Sequence, residues 1–314
     1  MAGQDRSGKR LALASIVLLA ILVVATACQP LGLPPDALPP PRPSGTPAPD
    51  APTLTPRQPL IVLFLDVGQG DAALVRSPAG RTMLIDGAES QDDAARVILP
   101  ALKSWGCQQL DLLVITHPDQ DHIGGLPYLL ESFPVNQVVL TGQVHTTRTY
   151  ERLLTLIRDK KIPAIKARRG GMLNLDPAIG LAILGPDSAA VDRDDTNNAS
   201  VVLRLTYGDI SILFTGDAEE PEEEAILANW PDVHAQVLKV AHHGSRSASS
   251  PAWLQAVSPE VAVVSVAADS PYTHPRPEVL NRLKQGGITI YRTDQHGTVT
   301  VQSDGRTYRV FTEH

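Results

Sequence analysis

From residue 60 onward the chain alternates short apolar runs with polar turns. Three β-rich runs open this region, at 60–67, 72–77 and 81–85, and Pro78-Ala79-Gly80 turns the chain between the last two. A helical period follows over 93–104. Residues 110–116 read as a buried strand, 123–132 as a helix, 137–140 as a strand and 149–160 as a helix. Strands then dominate, at 179–184, 200–207 and 210–215, with Gly208-Asp209 joining the last pair. Helices at 219–228, 251–256 and 277–285 alternate with strands at 235–240 and 261–265. Strands at 288–292, 298–302 and 308–311 complete the pattern.

Two strand-rich halves with interspersed helices predict an α+β fold, sheet packed on sheet with helices outside. Polar residues stand where strands end: Asp66, Asp86, His117, Asp217 and His242. That placement gathers ligands along one edge of a sandwich.

The first sixty residues are patterned differently. Arg6, Lys9 and Arg10 precede an apolar stretch over 11–24, and Ala25-Thr26-Ala27-Cys28 follows. Residues 1–27 read as a signal peptide whose end resembles a bacterial lipobox, although Ala25 stands where Leu is commoner. The expectation is cleavage before Cys28 and acylation of that cysteine. An uncleaved anchor is the alternative, but the apolar run falls just short of the ~18–20 residues of a membrane span. Either way the main domain lies outside the cytoplasm. Residues 28–59, dense in Pro, form an extended tether from the lipid, and 60–314 form one domain with its own core.

Composition narrows the function. The formal charge is −7, and near −9 without residues 1–27, which excludes a broad basic face that coats DNA. It permits an enzyme that holds phosphodiesters through bound cations. Aromatic residues are only 4%, so aliphatic side chains must fill the core. With Cys28 acylated, Cys107 has no disulfide partner and reads as a small buried apolar residue.

The chemistry concentrates in His117-Pro118-Asp119-Gln120-Asp121-His122, after a buried strand and before Ile123-Gly124-Gly125. Burying both aspartates unpaired would be very costly, and metal ions remove that cost. His117 and Asp119 can face one ion, Asp121 and His122 another. A solvated, charged helix N-terminus is the bland alternative. Asp86 in Leu84-Ile85-Asp86-Gly87, Asp217 in Thr215-Gly216-Asp217, and His242-His243 before Gly244 extend the pattern. Each alone is more often a cap or turn residue; their joint placement is the specific signal.

These residues resemble the metallo-β-lactamase superfamily, whose HxHxDH motif stands here as HPDQDH. Within it the chain is similar to the soluble hydrolase domain of ComEC-type DNA-uptake proteins. The matching pieces are Leu65-Asp66-Val67-Gly68-Gln69-Gly70-Asp71, Leu84-Ile85-Asp86-Gly87, Thr116-His117 on to Gly125, and Asn197-Asn198-Ala199-Ser200. Thr215-Gly216-Asp217, Lys239-Val240-Ala241-His242-His243-Gly244-Ser245 and Tyr272-Thr273-His274-Pro275 continue them. The resemblance implies a four-layer αββα sandwich and two divalent metal ions. The ligands it implies are His117, Asp119, Asp121, His122, Asp217 and one of His242 or His243, with His243 favoured because it directly precedes the glycine. Asp119 replaces a histidine, and Asn197 or Asn198 occupies the region of another. Oxygen donors shift the preference from Zn²⁺ towards Mn²⁺ and leave one position weaker.

Other candidates fall around this set. Asp71 and Gln69 lie in a glycine-flanked turn, with a supporting role for Asp71 balanced against a local cap. Asp86, Asn197, Asn198, His242 and Ser245 are candidates for contacts behind the ligands or to substrate. Asp121 is expected to bind the nucleophilic water, and His274 to act at the leaving group. His145, His234, His296 and His314 read as structural or solvated. The basic run from Arg148 to Arg169 reads as a solvated face in preference to a phosphate track. The resulting expectation is a lipid-anchored, metal-dependent phosphodiesterase or nuclease that activates water to cleave DNA, with the DNA-uptake machinery as a partner. A hydrolase of small or cell-wall phosphodiesters or other esters is the alternative, and a binding protein with a degenerate metal site is the third reading.

Overall fold

The computed structural model describes residues 58–192 and 195–314. The leader, Cys28 and nearly all of the tether lie outside the described residues. Fifteen strands are present among the described residues. In chain order they are β1 (Leu60–Phe64), β2 (Ala73–Arg76), β3 (Thr82–Ile85), β4 (Leu112–Val114), β5 (Val138–Leu140), β6 (Ala164–Lys166), β7 (Met172–Leu173) and β8 (Gly180–Gly185). Then come β9 (Val202–Tyr207), β10 (Ile210–Phe214), β11 (Val237–Lys239), β12 (Val261–Val264), β13 (Thr289–Arg292), β14 (Val299–Ser303) and β15 (Tyr308–Thr312). One sheet has the order β15-β14-β1-β2-β3-β4-β5-β6, the other β13-β12-β11-β10-β9-β8-β7.

Alternation within the strands builds four layers. In β4, Leu112 and Val114 point between the sheets, where they join Val62, Phe64, Leu203, Phe214 and Val263. Leu113 points outward, onto Ile98, Leu102, Leu129 and Leu153 of the covering helices. Leu213, Leu238 and Ala262 of the other sheet pack outward on Ile226, Trp253 and Leu283. This is the αββα sandwich: both faces of each sheet are covered, so central strands such as β3 and β10 are buried throughout and mostly apolar. Among the described residues no helix is long and apolar enough to cross a membrane.

Several predicted boundaries move for identifiable reasons. The helix read over 123–132 is two pieces, Gln120–Ile123 and Leu126–Ser132. Gly124 and Gly125 separate them because the chain passes so close that a Cβ would lie 1.7 Å from the Glu89 carbonyl oxygen and 2.4 Å from that of Gly87. The strand read over 110–116 pairs only across Leu112–Val114, with Leu110 in a single bridge to Val135. Short β6 and β7 and the helices Ser188–Asp192 and Thr293–His296 went unpredicted. β6 and β7 are edge strands of two or three residues, too short and too exposed to carry a hydrophobic period.

The strands β3, β4, β5 and β6 run parallel, as do β10, β11, β12 and β13. The loops that leave their C-terminal ends carry the candidate ligands.

Candidate metal centre

The loop after β4 supplies His117, Asp119, Asp121 and His122. It is held from beneath by the turn at 68–71. Gly70 has φ +109, and a Cβ there would sit 2.1 Å from the Asp121 carbonyl oxygen, so only glycine allows this approach. The Asp71 backbone N–H then donates to that same oxygen at 3.1 Å. From the other sheet, the loop after β10 supplies Asp217. Gly216, at φ +50, lets it pass Thr116 and Ser200 closely, and the Asp217 N–H donates to Ser200 Oγ at 3.1 Å. The 3-10 turn Ala241–Gly244 follows β11 and places His242 and His243, both in left-handed backbone conformations of φ 49 and 52.

Each buried imidazole has Nδ1 tied to an oxygen and Nε2 turned inward. His122 Nδ1 lies 2.8 Å from Asp86 Oδ2, His243 Nδ1 3.0 Å from the Ser265 carbonyl, and His117 Nδ1 3.0 Å from Thr116 Oγ1. Asp86 is fully buried and also accepts from the Thr116 backbone N–H at 2.8 Å and its hydroxyl at 2.7 Å. Such Nδ1 partners fix the tautomer that leaves Nε2 as a bare lone pair.

The Nε2 atoms of His117, His122 and His243 and Oδ1 of Asp217 are buried without a hydrogen-bond partner of regular geometry. His122 Nε2 stands 3.2 Å from Asp217 Oδ1, and His243 Nε2 3.2 Å from Asp121 Oδ2 and 3.6 Å from Asp217 Oδ2. Donors from Asp121, His122, Asp217 and His243 all lie within 4.8 Å of one another. Around them, His117 Nε2 is 3.7 Å from Asp119 Oδ2 and 3.8 Å from Asp217 Oδ2, and His242 Nε2 is 3.9 Å from the same Asp217 oxygen. Two donors on one ion at ~2.1 Å are about 3–3.5 Å apart, so these separations fit divalent metal. Leaving each of these groups unpaired would cost on the order of 1–3 kcal/mol. The residues present therefore fit a two-metal site, with Asp217 reaching both positions.

Electrostatics follow the same division. Burial would depress the His122 pKa, but Asp217, Asp86 and Asp121 outweigh it and hold it well above the usual value. Burial would raise Asp217, yet His122 and His243 keep it well below the carboxylate range. His117, pushed down by burial and then by His122, falls to about 3 and is neutral at pH 7. Burial raises Asp119, whereas Asp121 ends below its usual value because His122 and His243 overcome burial.

The structure brings His117, Asp119, Asp121, His122, Asp217 and His243 together and puts Asp86 directly behind His122. Asp71 bonds Lys239 Nζ at 2.7 Å and lies 3.6 Å from His243 Nδ1. Asn198 stands apart from the ligands. Its side-chain oxygen accepts from the backbone N–H groups of Glu219 and Glu222, which anchors the start of helix Glu220–Asn229. Asn197 reaches Glu219 Oε1 at 3.4 Å, and Ser245 bonds Ser247, which donates to the same Glu219 oxygen. His274 stacks at 6.0 Å on Tyr272, with its ring centre 5.4 Å from that of His242. Burial and then His242 lower its pKa to about 4.

Sequence reasoning assigned no role to Glu219, Lys239 or Ser265. Glu219 holds His242 Nδ1 at 3.0 Å, and its signal was its position two residues after the metal-facing Asp217. Lys239 is a buried lysine at the end of an apolar strand, which is itself a signal for a buried carboxylate partner. Ser265 acts through its carbonyl, which leaves no sequence trace. His145, read as structural or solvated, instead places Nε2 4.0 Å from Asp119 Oδ1. His234 and His296 do bond backbone groups, of Val257 and Arg292. Cys107 is half-buried at the edge of the outer core rather than fully inside it.

Residues 65–268 match the Metallo-beta-lactamase superfamily. The chain is 32% identical over 258 residues to ComE operon protein 3 of Bacillus subtilis (strain 168), across 77% of the chain and 33% of that protein. It is 32% identical over 249 residues to Competence protein ComA of Neisseria gonorrhoeae, across 79% of the chain and 33% of that protein. It thus spans about a third of the length of these curated relatives. Among solved structures, CmlA, a diiron β-hydroxylase from Streptomyces venezuelae, aligns with a TM-score of 0.50 at 14% identity, over 76% of the chain and 53% of that protein. The superfamily match takes in every candidate ligand from His117 to His243 and the strands β4, β10 and β11 that lead to them: the chain belongs to the metallo-β-lactamase superfamily and is related to competence proteins.

Proposed function

We propose that this metallo-β-lactamase-type hydrolase is a phosphodiesterase that cleaves DNA outside the cytoplasm, tethered by lipid on Cys28 and serving a DNA-uptake machinery. The observation that carries the reading is the convergence of three buried, unpartnered imidazole Nε2 atoms on Asp217, with Asp119 and Asp121 beside them. The names of the relatives, an operon protein of competence and a competence protein, favour DNA over other esters.

Bound divalent cations would lower the pKa of water and offset phosphate charge. His117, Asp119 and Asp217 would hold one ion, and Asp121, His122, Asp217 and His243 the other. Asp86 and the Ser265 carbonyl keep the histidine rings in the ligating tautomer. Three carboxylates among the donors favour Mn²⁺ over Zn²⁺. Asp121 is also placed to orient the attacking water, since its side chain is partly open to solvent while touching His243. A pKa near 4 leaves His274 neutral, so it donates a hydrogen bond to the leaving oxygen instead of a full proton.

The test is a screen of the purified full chain in detergent against DNA, RNA, bis-p-nitrophenyl phosphate, a β-lactam and a lactone. Each substrate is assayed with Mn²⁺, Zn²⁺ and EDTA. Cleavage of DNA and the phosphodiester, greatest with Mn²⁺, is expected. Turnover of the β-lactam or lactone without any phosphodiester cleavage would overturn the reading.

A further inference from the structure

Four parallel strands end in a row on the edge that carries the metal centre, and only two of them feed it. β3 leads to Asp86 and β4 leads to the loop of His117. The ends of β5 and β6 instead wall a groove of about 530 Å³, lined by Gln143, Val144, His145, Thr146 and Lys166. Ligands of sheets with parallel strands collect outside such C-terminal ends. His145 joins the groove to the metal centre, with Nε2 4.0 Å from Asp119 Oδ1.

The chemistry of the groove suits an anionic strand. Gln143 is 3% exposed, and both atoms of its side-chain amide lack a partner. Its backbone, by contrast, is fixed: the N–H donates to Thr141 Oγ1 at 3.2 Å and the carbonyl accepts from the Tyr150 hydroxyl at 3.1 Å. An amide left unsatisfied in the wall of a groove calls for polar groups from a ligand. The basic run of the sequence divides at this point. Arg152, Arg158 and Arg169 are paired with Glu131, Asp159 and Glu222. Arg148, Lys160, Lys161, Lys166 and Arg168 show no carboxylate partner among the described residues, and of these five Lys166 is the one that lines the groove. In a chain of net charge −7, the groove sets an unpaired lysine beside a histidine and an unpartnered amide, a combination that suits an anion.

We propose that this groove is a subsite for the sugar-phosphate backbone of a nucleic-acid strand flanking the scissile bond. Lys166 and His145 meet phosphate oxygens, and Gln143 hydrogen-bonds the strand. Val144, 80% exposed on the rim, offers an apolar contact to a base or sugar. The assignment rests on the phosphodiesterase reading and names what gives it a preference for polymers over small diesters.

The experiment measures binding, so it does not depend on turnover. A fluorescein-labelled single-stranded DNA 12-mer is titrated with the detergent-solubilised full chain in EDTA, by anisotropy, over a range of salt. Lys166→Glu should weaken binding at least ~10-fold and reduce the slope of log affinity against log salt by about one. Lys166→Arg should restore both. Gln143→Ala should weaken binding by a smaller factor with no change in salt slope. Lys160→Glu makes the same charge change on the far end of helix Arg148–Asp159 and should match wild type. Circular dichroism and melting confirm that each variant is folded. An unchanged affinity and salt slope for Lys166→Glu, or no binding by the wild type, overturns the groove. Binding with this pattern but no cleavage of any phosphodiester leaves the groove standing and removes the hydrolase reading.

Discussion

On one side of Asp217 the donors are packed close together around two buried imidazoles; on the other they are spread, with buried His117 beside partly exposed Asp119 and His242. Asp121, His122 and His243 form a compact set with Asp217, and each imidazole is held by a strong acceptor, a carboxylate for His122 and a carbonyl for His243. On the other side, His117 is held by hydroxyls, Asp119 has a side chain 35% exposed, and His242 one 23% exposed. Ligands whose partners lock them in place lose less freedom when an ion binds. The compact side should therefore hold its ion tightly, while the open side should bind more weakly and admit substrate. The groove beside Asp119 lies on that open side.

Asp217→Ala should produce the largest effect, because it abolishes the distinction. Asp217 contacts His122 and His243 on one side and His117 and His242 on the other. Both ions should be lost after dialysis, with affinity down by more than the ~10–100-fold that follows from removing an outer partner. Phosphodiesterase activity should vanish with them. Elemental analysis of the variant decides this, and two retained ions would mean that the metals lie elsewhere.

Asp86→Ala should strike the compact side selectively. The carboxylate touches no proposed ion, yet it holds His122 Nδ1 and both donors of Thr116. Its removal should weaken the tight ion by about 10–100-fold. Each buried donor left unpaired should also cost on the order of 1–3 kcal/mol of stability, seen in urea unfolding. Asp86→Asn, which keeps an acceptor oxygen, should recover part of both losses. If the weak ion suffers more than the tight one, the two sides have been assigned the wrong way round.

The ligands of both sides were legible in the sequence, since HPDQDH supplies His117 and Asp119 to one and Asp121 and His122 to the other. HPDQDH and the Asp217 and His243 positions stand out because charged residues at the ends of apolar strands are hard to explain otherwise. The same logic exposed the sandwich, since runs such as β3 and β10 are buried on both faces. The supports of the open side were obscured because they look ordinary. Glu219 reads as an acidic residue at the start of a helix, favoured there by the helix dipole alone. Asn198 looked like a substitute ligand and turns out to anchor that helix. His145 sits in a loop with no ligand-like neighbours in sequence, and only the return of β5 towards β4 brings it near Asp119. A basic run gives no hint of which members are neutralised; the pairing of Arg152, Arg158 and Arg169 decided that.

The smallest expected effect tests the open side alone. His242 Nδ1 is bound to Glu219, which leaves Nε2 free, and that nitrogen lies 3.9 Å from the Asp217 oxygen that faces His117 at 3.8 Å and His243 at 3.6 Å. His145 approaches this side only through Asp119, at 4.0 Å, whereas His242 faces Asp217 itself, so His242 is the imidazole placed to complete the position. Its ring is still partly open to solvent, so little packing is lost on truncation, and stability should stay within about 0.5–1 kcal/mol of wild type. In a Mn²⁺ titration followed by electron paramagnetic resonance, wild type should fill in two steps. His242→Ala should move only the weaker step, by roughly 10-fold or less, as expected for a ligand at a position already loosely held. Glu219→Gln should move the same step by a smaller amount, because it removes the carboxylate that holds the ring and not the ligand itself. Should the tighter step shift instead, His242 would belong with Asp121, His122 and His243, and the division drawn through Asp217 would fail.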